Sequence, residues 1–123
     1  ITVDGVNYLF GYTGSDTELT LPENYNGANY EIGKYAFYKR TGLTSVTIPD
    51  GVTNIGDGAF YGCTALTSVT IGNGVMSIGE SAFGSCRSLR KIYYRGTRQE
   101  WDSIVKGVDC FPGSGEYTVV YNA

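Results

Sequence analysis

Three cysteines, twelve carboxylates and no histidine make up the reactive inventory of this 123-residue sequence. Without an imidazole, the Ser-His and Cys-His nucleophile systems are excluded. Zinc-type sites lose a usual ligand as well, and no Cys-x-x-Cys pair is present. Cys63 and Cys86 occupy matching positions 23 residues apart, where an earlier copy carries Arg40. A disulfide between them is conceivable. Disulfide geometry is narrow, however, and a small inward-facing cysteine packs well, so free thiols are expected. Cys110 stands alone. Asp57 and Glu80 sit at near-equivalent positions, but on a turn and outside any expected cleft. A paired-carboxylate hydrolase needs two acids about 5–10 Å apart across a pocket. Gly56-Asp57-Gly58 belongs to a repeated turn and lacks the Lys and Ser/Thr that follow a phosphate loop. The expectation is a chain with no catalytic residue, no cofactor and no metal site.

What positions these residues is a repeat. Ile32, Ile55 and Ile78 are 23 residues apart, and so are Phe37, Phe60 and Phe83, and Leu43, Leu66 and Leu89. A fixed period of this length signals a solenoid of stacked units. The regular copies are 32–54, 55–77 and 78–94. In each, a segment such as LTSVTI (43–48) reads as a short strand with Leu, Val and Ile inward. The segment IG-x-x-AF reads as one helical or 3-10 turn presenting Phe inward. Gly51-Val52 and Gly74-Val75 are expected to bend the chain between halves, using dihedrals that other residues resist. One copy buries too little apolar surface to offset the ordering of its own backbone, so the copies must stack.

The flanks read as caps of the same single domain, 1–123. Residues 1–31 form an N-terminal cap and degenerate repeat. Asp4-Gly5 signals a turn in a hairpin, Gly14-Ser15-Asp16 a break, and TELTL (17–21) a half-buried strand. A longer, tyrosine-bearing loop follows at 23–30. Residues 95–123 form the C-terminal cap. Thr97 and Glu100 make a capping box, Trp101, Ile104 and Val105 an apolar stripe, and Gly107 suits the helix C′ position. Trp101 is expected to anchor that cap. Residues 110–115 read as loop and 116–121 as a final strand.

A net charge of −3 and a pI near 4.8 argue against a nucleic-acid partner. No apolar run approaches the ~20 residues of a membrane span, so no membrane insertion of this segment is expected. The sequence starts at Ile1 without Met or a signal peptide, which suggests a mature or excised segment. Eleven tyrosines suit contact surfaces or covers for the stack ends. Strand alternation turns Ser45, Thr47 and Pro49 outward, then Ser68, Thr70 and Gly72, then Lys91, Tyr93 and Arg95, with Glu18 and Thr20 upstream. The candidate binding face is Ser45, Thr47, Ser68, Thr70, Lys91, Tyr93 and Arg95, where a tyrosine between two cations suits an acidic or sugar-bearing partner.

The segment IGDGAFYGCTALTSVTIGNGV (55–75), its neighbours at 32–52 and 78–94, and YYRGTRQEW (93–101) resemble the BspA-like, or Treponema pallidum-type, leucine-rich repeats. The resemblance implies an α/β solenoid: a right-handed stack with a parallel concave sheet, short convex turns, and a C-terminal capping helix and strand. It also implies an extracellular or cell-surface setting and, for some members, adhesion. The family supplies no shared ligand motif, so no binding residue carries over. The functional expectation is a non-catalytic module binding a host or neighbouring-cell protein or glycan. The alternative is a structural spacer with no ligand of its own.

Overall fold

The computed structural model describes residues 2–3, 5–9, 16–112 and 117–123, with only the backbone at Thr2 and Val3. The expected turn residue Asp4, the break at Gly14-Ser15, Gly113 to Gly115 in the 110–115 loop and the start of the last strand at Glu116 lie outside them.

Each repeat contributes two strands rather than one. The expected strands are β3 (Glu18–Thr20), β5 (Ser45–Ile48), β7 (Ser68–Ile71), β9 (Lys91–Tyr94) and β11 (Thr118–Val120). They form a five-stranded, all-parallel sheet in the order β11-β9-β7-β5-β3. Valine and isoleucine alternate inward, as in the buried Val46, Ile48, Val69, Ile71 and Ile92. A second sheet contains β1 (Thr2–Val3), β2 (Val6–Leu9), β4 (Tyr30–Ile32), β6 (Val52–Ile55), β8 (Ser77–Ile78) and β10 (Val105–Lys106). It is parallel except for the β1–β2 hairpin, whose turn uses Gly5 at φ +79°. The core lies between the sheets.

Gly51 and Gly74 behave differently from expectation. Val52 already belongs to β6, and neither glycine has a positive φ. A Cβ at Gly51 would collide with the Glu23 carbonyl, and one at Gly74 with the Asp50 carbonyl. Close approach of neighbouring coils, not left-handed backbone, requires glycine there.

Past β4, β6 and β8 the chain turns through i→i+3 hydrogen bonds, as in Ala36 N–H to Gly33 O and Tyr38 N–H to Tyr35 O. The alternate N–H groups cross to the next coil: Tyr35 to Asp57, Phe37 to Ala59 and Lys39 to Tyr61. This interleaving fixes Phe37, Phe60 and Phe83 in one column, with centroids 5.0 Å apart and planes within 3° of parallel.

The column continues to Phe111, 5.3 Å from Phe83. Phe83 N–H donates to Cys110 O, as Phe60 N–H does to Ala82 O, so residues 105–111 add another coil to this side. The sequence hides that coil because helix α1 (Arg98–Ser103) interrupts the period. The capping box forms, with Glu100 N–H donating to Thr97 Oγ1 and Thr97 N–H to Glu100 Oε1. Trp101 is buried against Tyr94 and Phe111, where an anchor belongs. The expected apolar stripe is shorter: Ile104 is the C-cap, and Val105 is exposed in β10. Gly107 is not at C′; its N–H pairs with Ile78 O, and it packs against the Glu80 backbone.

Candidate functional sites

The register of the five-stranded sheet brings most of the sequence candidates into two rows. Glu18, Ser45, Ser68, Lys91 and Thr118 are direct partners from strand to strand. Thr20, Thr47, Thr70, Tyr93 and Val120 form the second row. Ser45, Thr47, Ser68, Thr70 and Tyr93 are half-buried, while Thr20, Lys91, Arg95 and Thr118 are exposed. Arg95 lies past the end of β9, where its N–H donates to Ile71 O. Two outward positions fail. Pro49 and Gly72 are buried, because the coil bends inward at the strand end and Gly72 abuts the backbone of Pro49 and Asp50.

The turn segments carry a second, unexpected surface. Asp57 and Glu80 do line a cleft: an open groove of about 380 Å³ shared with Tyr35, Tyr38 and Tyr61. Tyr38 stacks on Tyr61 at 5.7 Å and 14°, and Tyr35 meets Tyr38 edge to face at 5.6 Å and 89°. The Asp57 carboxylate is oriented by the Glu80 N–H, 2.8 Å from Oδ1. Lys34 reaches Oδ2 at 3.9 Å while remaining 74% exposed. The available signal was the tyrosines themselves, at repeat positions where other copies carry Gly58, Ser81 or Gly84. Knowing that these positions border a cleft required the fold.

The cysteines are buried thiols. Cys63 donates to Phe37 O at 3.2 Å and Cys86 to Phe60 O at 3.0 Å. The hydrogen bond with Cys63, then burial, pushes the Cys86 thiol up, and burial does the same to Cys110. Raised thiols make Cys86 and Cys110 poor nucleophiles; the hydrogen bond with Cys86 lowers the Cys63 thiol instead, but that side chain is fully buried. Among the described residues, no group of three or more His, Cys, Asp or Glu is placed to hold a metal ion. No described helix is long and apolar enough to cross a membrane.

The family model for the BspA type leucine rich repeat region matches residues 6–105, in six copies. The chain belongs to that family. Its BspA-type coils are similar to those of a leucine-rich repeat protein from Bacteroides capillosus, with TM-score 0.74 and 29% identity over 100% of this chain and 91% of that one. The Treponema pallidum leucine rich repeat protein superposes with TM-score 0.72 and 29% identity, covering 90% of this chain and 54% of its own. A leucine rich cell surface protein from Faecalibacterium prausnitzii gives TM-score 0.62 and 33% identity over 77% of this chain and 30% of its own. This BspA-type chain thus spans about half of the Treponema protein and under a third of the Faecalibacterium protein. Comparison with curated proteins finds no match.

Proposed function

We propose that this chain is a non-catalytic protein- or glycan-binding module of a bacterial cell-surface or secreted protein, acting in adhesion or host interaction. The observation that carries the reading is the in-register outward ladder of the five-stranded sheet. Its small hydroxyl residues give way, at β9, to Lys91 and Tyr93, with Arg95 just beyond. Small hydroxyls leave the sheet face low and accessible. Tyrosine supplies apolar area with a polar tip, and the flanking cations suit acidic groups on a partner protein or glycan. The similarity to a leucine rich cell surface protein supports the setting.

The test is binding of the chain to a glycan array and to immobilised extracellular-matrix proteins, beside a variant with Lys91, Tyr93 and Arg95 all changed to Ala. Loss of binding in the variant supports the reading. Unchanged binding removes this face from it, and no binding by either protein favours a spacer.

A further inference from the structure

The groove on the turn segments is a second site, independent of the sheet face. It exists because the copies differ. Tyr35 is followed in later coils by Gly58 and Ser81, and Tyr38 by Tyr61 and Gly84. Each glycine leaves room for a ring: a Cβ at Gly58 would lie 2.6 Å from Tyr35 Cδ1, and one at Gly84 would lie 2.9 Å from Tyr61 Cδ2. Tyr35 and Tyr61 each pack one edge against the next coil, while Tyr35 stays 60% and Tyr38 44% exposed. Asp57 is held through its bond from the Glu80 N–H.

The lining itself is anionic and aromatic, with Lys34 and Lys39 at its margin. Two carboxylates and three tyrosine rings border the space, and none of the lining residues is a cation. Aromatic faces attract cations, and the chain already places its own Lys39 ammonium 5.2 Å from the Tyr38 centroid. Lys34, loosely held at Asp57, is the cation a ligand would displace. Guanidinium fits this surface better than ammonium does. It is planar, weakly hydrated, stacks on aromatic rings and donates in a fork to carboxylates. A strongly hydrated ammonium gains little in a groove that stays open to water.

We propose that the groove of Tyr35, Tyr38, Tyr61, Asp57 and Glu80 takes an arginine side chain of a protein partner.

The probes are three capped tripeptides, Gly-Arg-Gly, Gly-Lys-Gly and Gly-citrulline-Gly, titrated into the chain while the ring resonances of isotope-labelled tyrosines are followed. The arginine peptide is expected to shift Tyr35, Tyr38 and Tyr61 with a Kd on the order of millimolar, at least about threefold tighter than lysine. Citrulline, which is neutral, should be about tenfold weaker or silent. Glu80→Gln, at an exposed position, should weaken arginine binding about threefold with the unfolding midpoint unchanged. Lys34→Gln should tighten it about twofold by removing the competitor. Changing Lys91, Tyr93 and Arg95 should leave these shifts intact, which separates this site from the sheet face. Equal binding of citrulline and arginine overturns the proposal. So does equal binding of lysine and arginine, which would mark a diffuse anionic patch, and so does the absence of tyrosine shifts up to ~20 mM peptide.

Discussion

The outer face of the five-stranded sheet and the turn segments come from the same 23-residue unit, yet they vary in opposite ways. Across the sheet face, Ser45 meets Ser68 and Thr47 meets Thr70 in strict register; the pattern breaks at Glu18 in β3, at Lys91 and Tyr93 in β9 and at Val120 in β11. Along the turns, equivalent positions read Tyr, Gly, Ser or Tyr, Tyr, Gly. Parallel pairing allows few side chains to stand side by side at each row, and small hydroxyl or β-branched residues satisfy it. The turns are tied together by backbone hydrogen bonds from alternate residues, so side chains there are free to differ. The Tyr35 and Tyr61 rings lie where the next coil offers Gly58 and Gly84. Uniformity marks what the stack requires, and departure marks where a partner can be specified.

The strongest way to break that comparison is to attack what both regions share. Phe60 is fully buried and sandwiched between Phe37 and Phe83. Phe60→Ala should cost about 3–5 kcal/mol in denaturant unfolding. A loss below ~1 kcal/mol would mean that the turns are not anchored to the common core.

Gly58→Ala probes the turns alone. Its φ of +61° disfavours a side chain, which costs about 1–2 kcal/mol, and the new methyl also meets the Tyr35 ring. In a Tyr35→Ala background only the backbone cost should remain. Equal losses in both backgrounds would show that the ring does not need this glycine.

Tyr30, at the N-terminal end of the core, gives a pH handle. Burial, and then the charge of Glu23, pushes its pKa up to about 12, and its hydroxyl donates to Pro22 O at 2.5 Å. The folded state favours the neutral phenol, so this contribution is complete below pH ~10, the unfolded value. It is lost as pH rises through about 12. Stability should fall across that window, and Tyr30→Phe should flatten the fall; an unchanged slope would count against it.

The smallest effect belongs to the sheet face. Thr70→Ala, at a half-buried outward position, should change stability by no more than ~0.5 kcal/mol. A larger loss would make the hydroxyl ladder part of the scaffold.

The first sheet was legible because Leu, Val and Ile recur with strand alternation and a fixed period. The second was not. In β6, VTNI places its buried residues three apart, at Val52 and Ile55, which carries no period-two signal. The last coil was obscured because α1 delays Phe111 past its expected place, although the ring rejoins the column. The outward rows of Ser45, Thr47, Ser68 and Thr70 followed from alternation alone. Pro49 and Gly72 failed because alternation stops where the coil turns inward. The groove at Asp57 and Glu80 was out of reach of spacing arguments, since it depends on rings from one coil lying over glycines of the next.

The central claim is that the repeat is scaffold and that recognition by the sheet resides in the departures of β9 and Arg95. Lys91→Ser, Tyr93→Thr and Arg95→Gly, made together, restore the residues of the central copy at Ser68, Thr70 and Gly72. This variant keeps the register and is expected to unfold like the parent. Its binding to the glycans and matrix proteins that the parent retains, measured by surface plasmon resonance, is the deciding measurement. The account expects that binding to fall at least about tenfold with the fold intact. Full binding by a stably folded variant would contradict it.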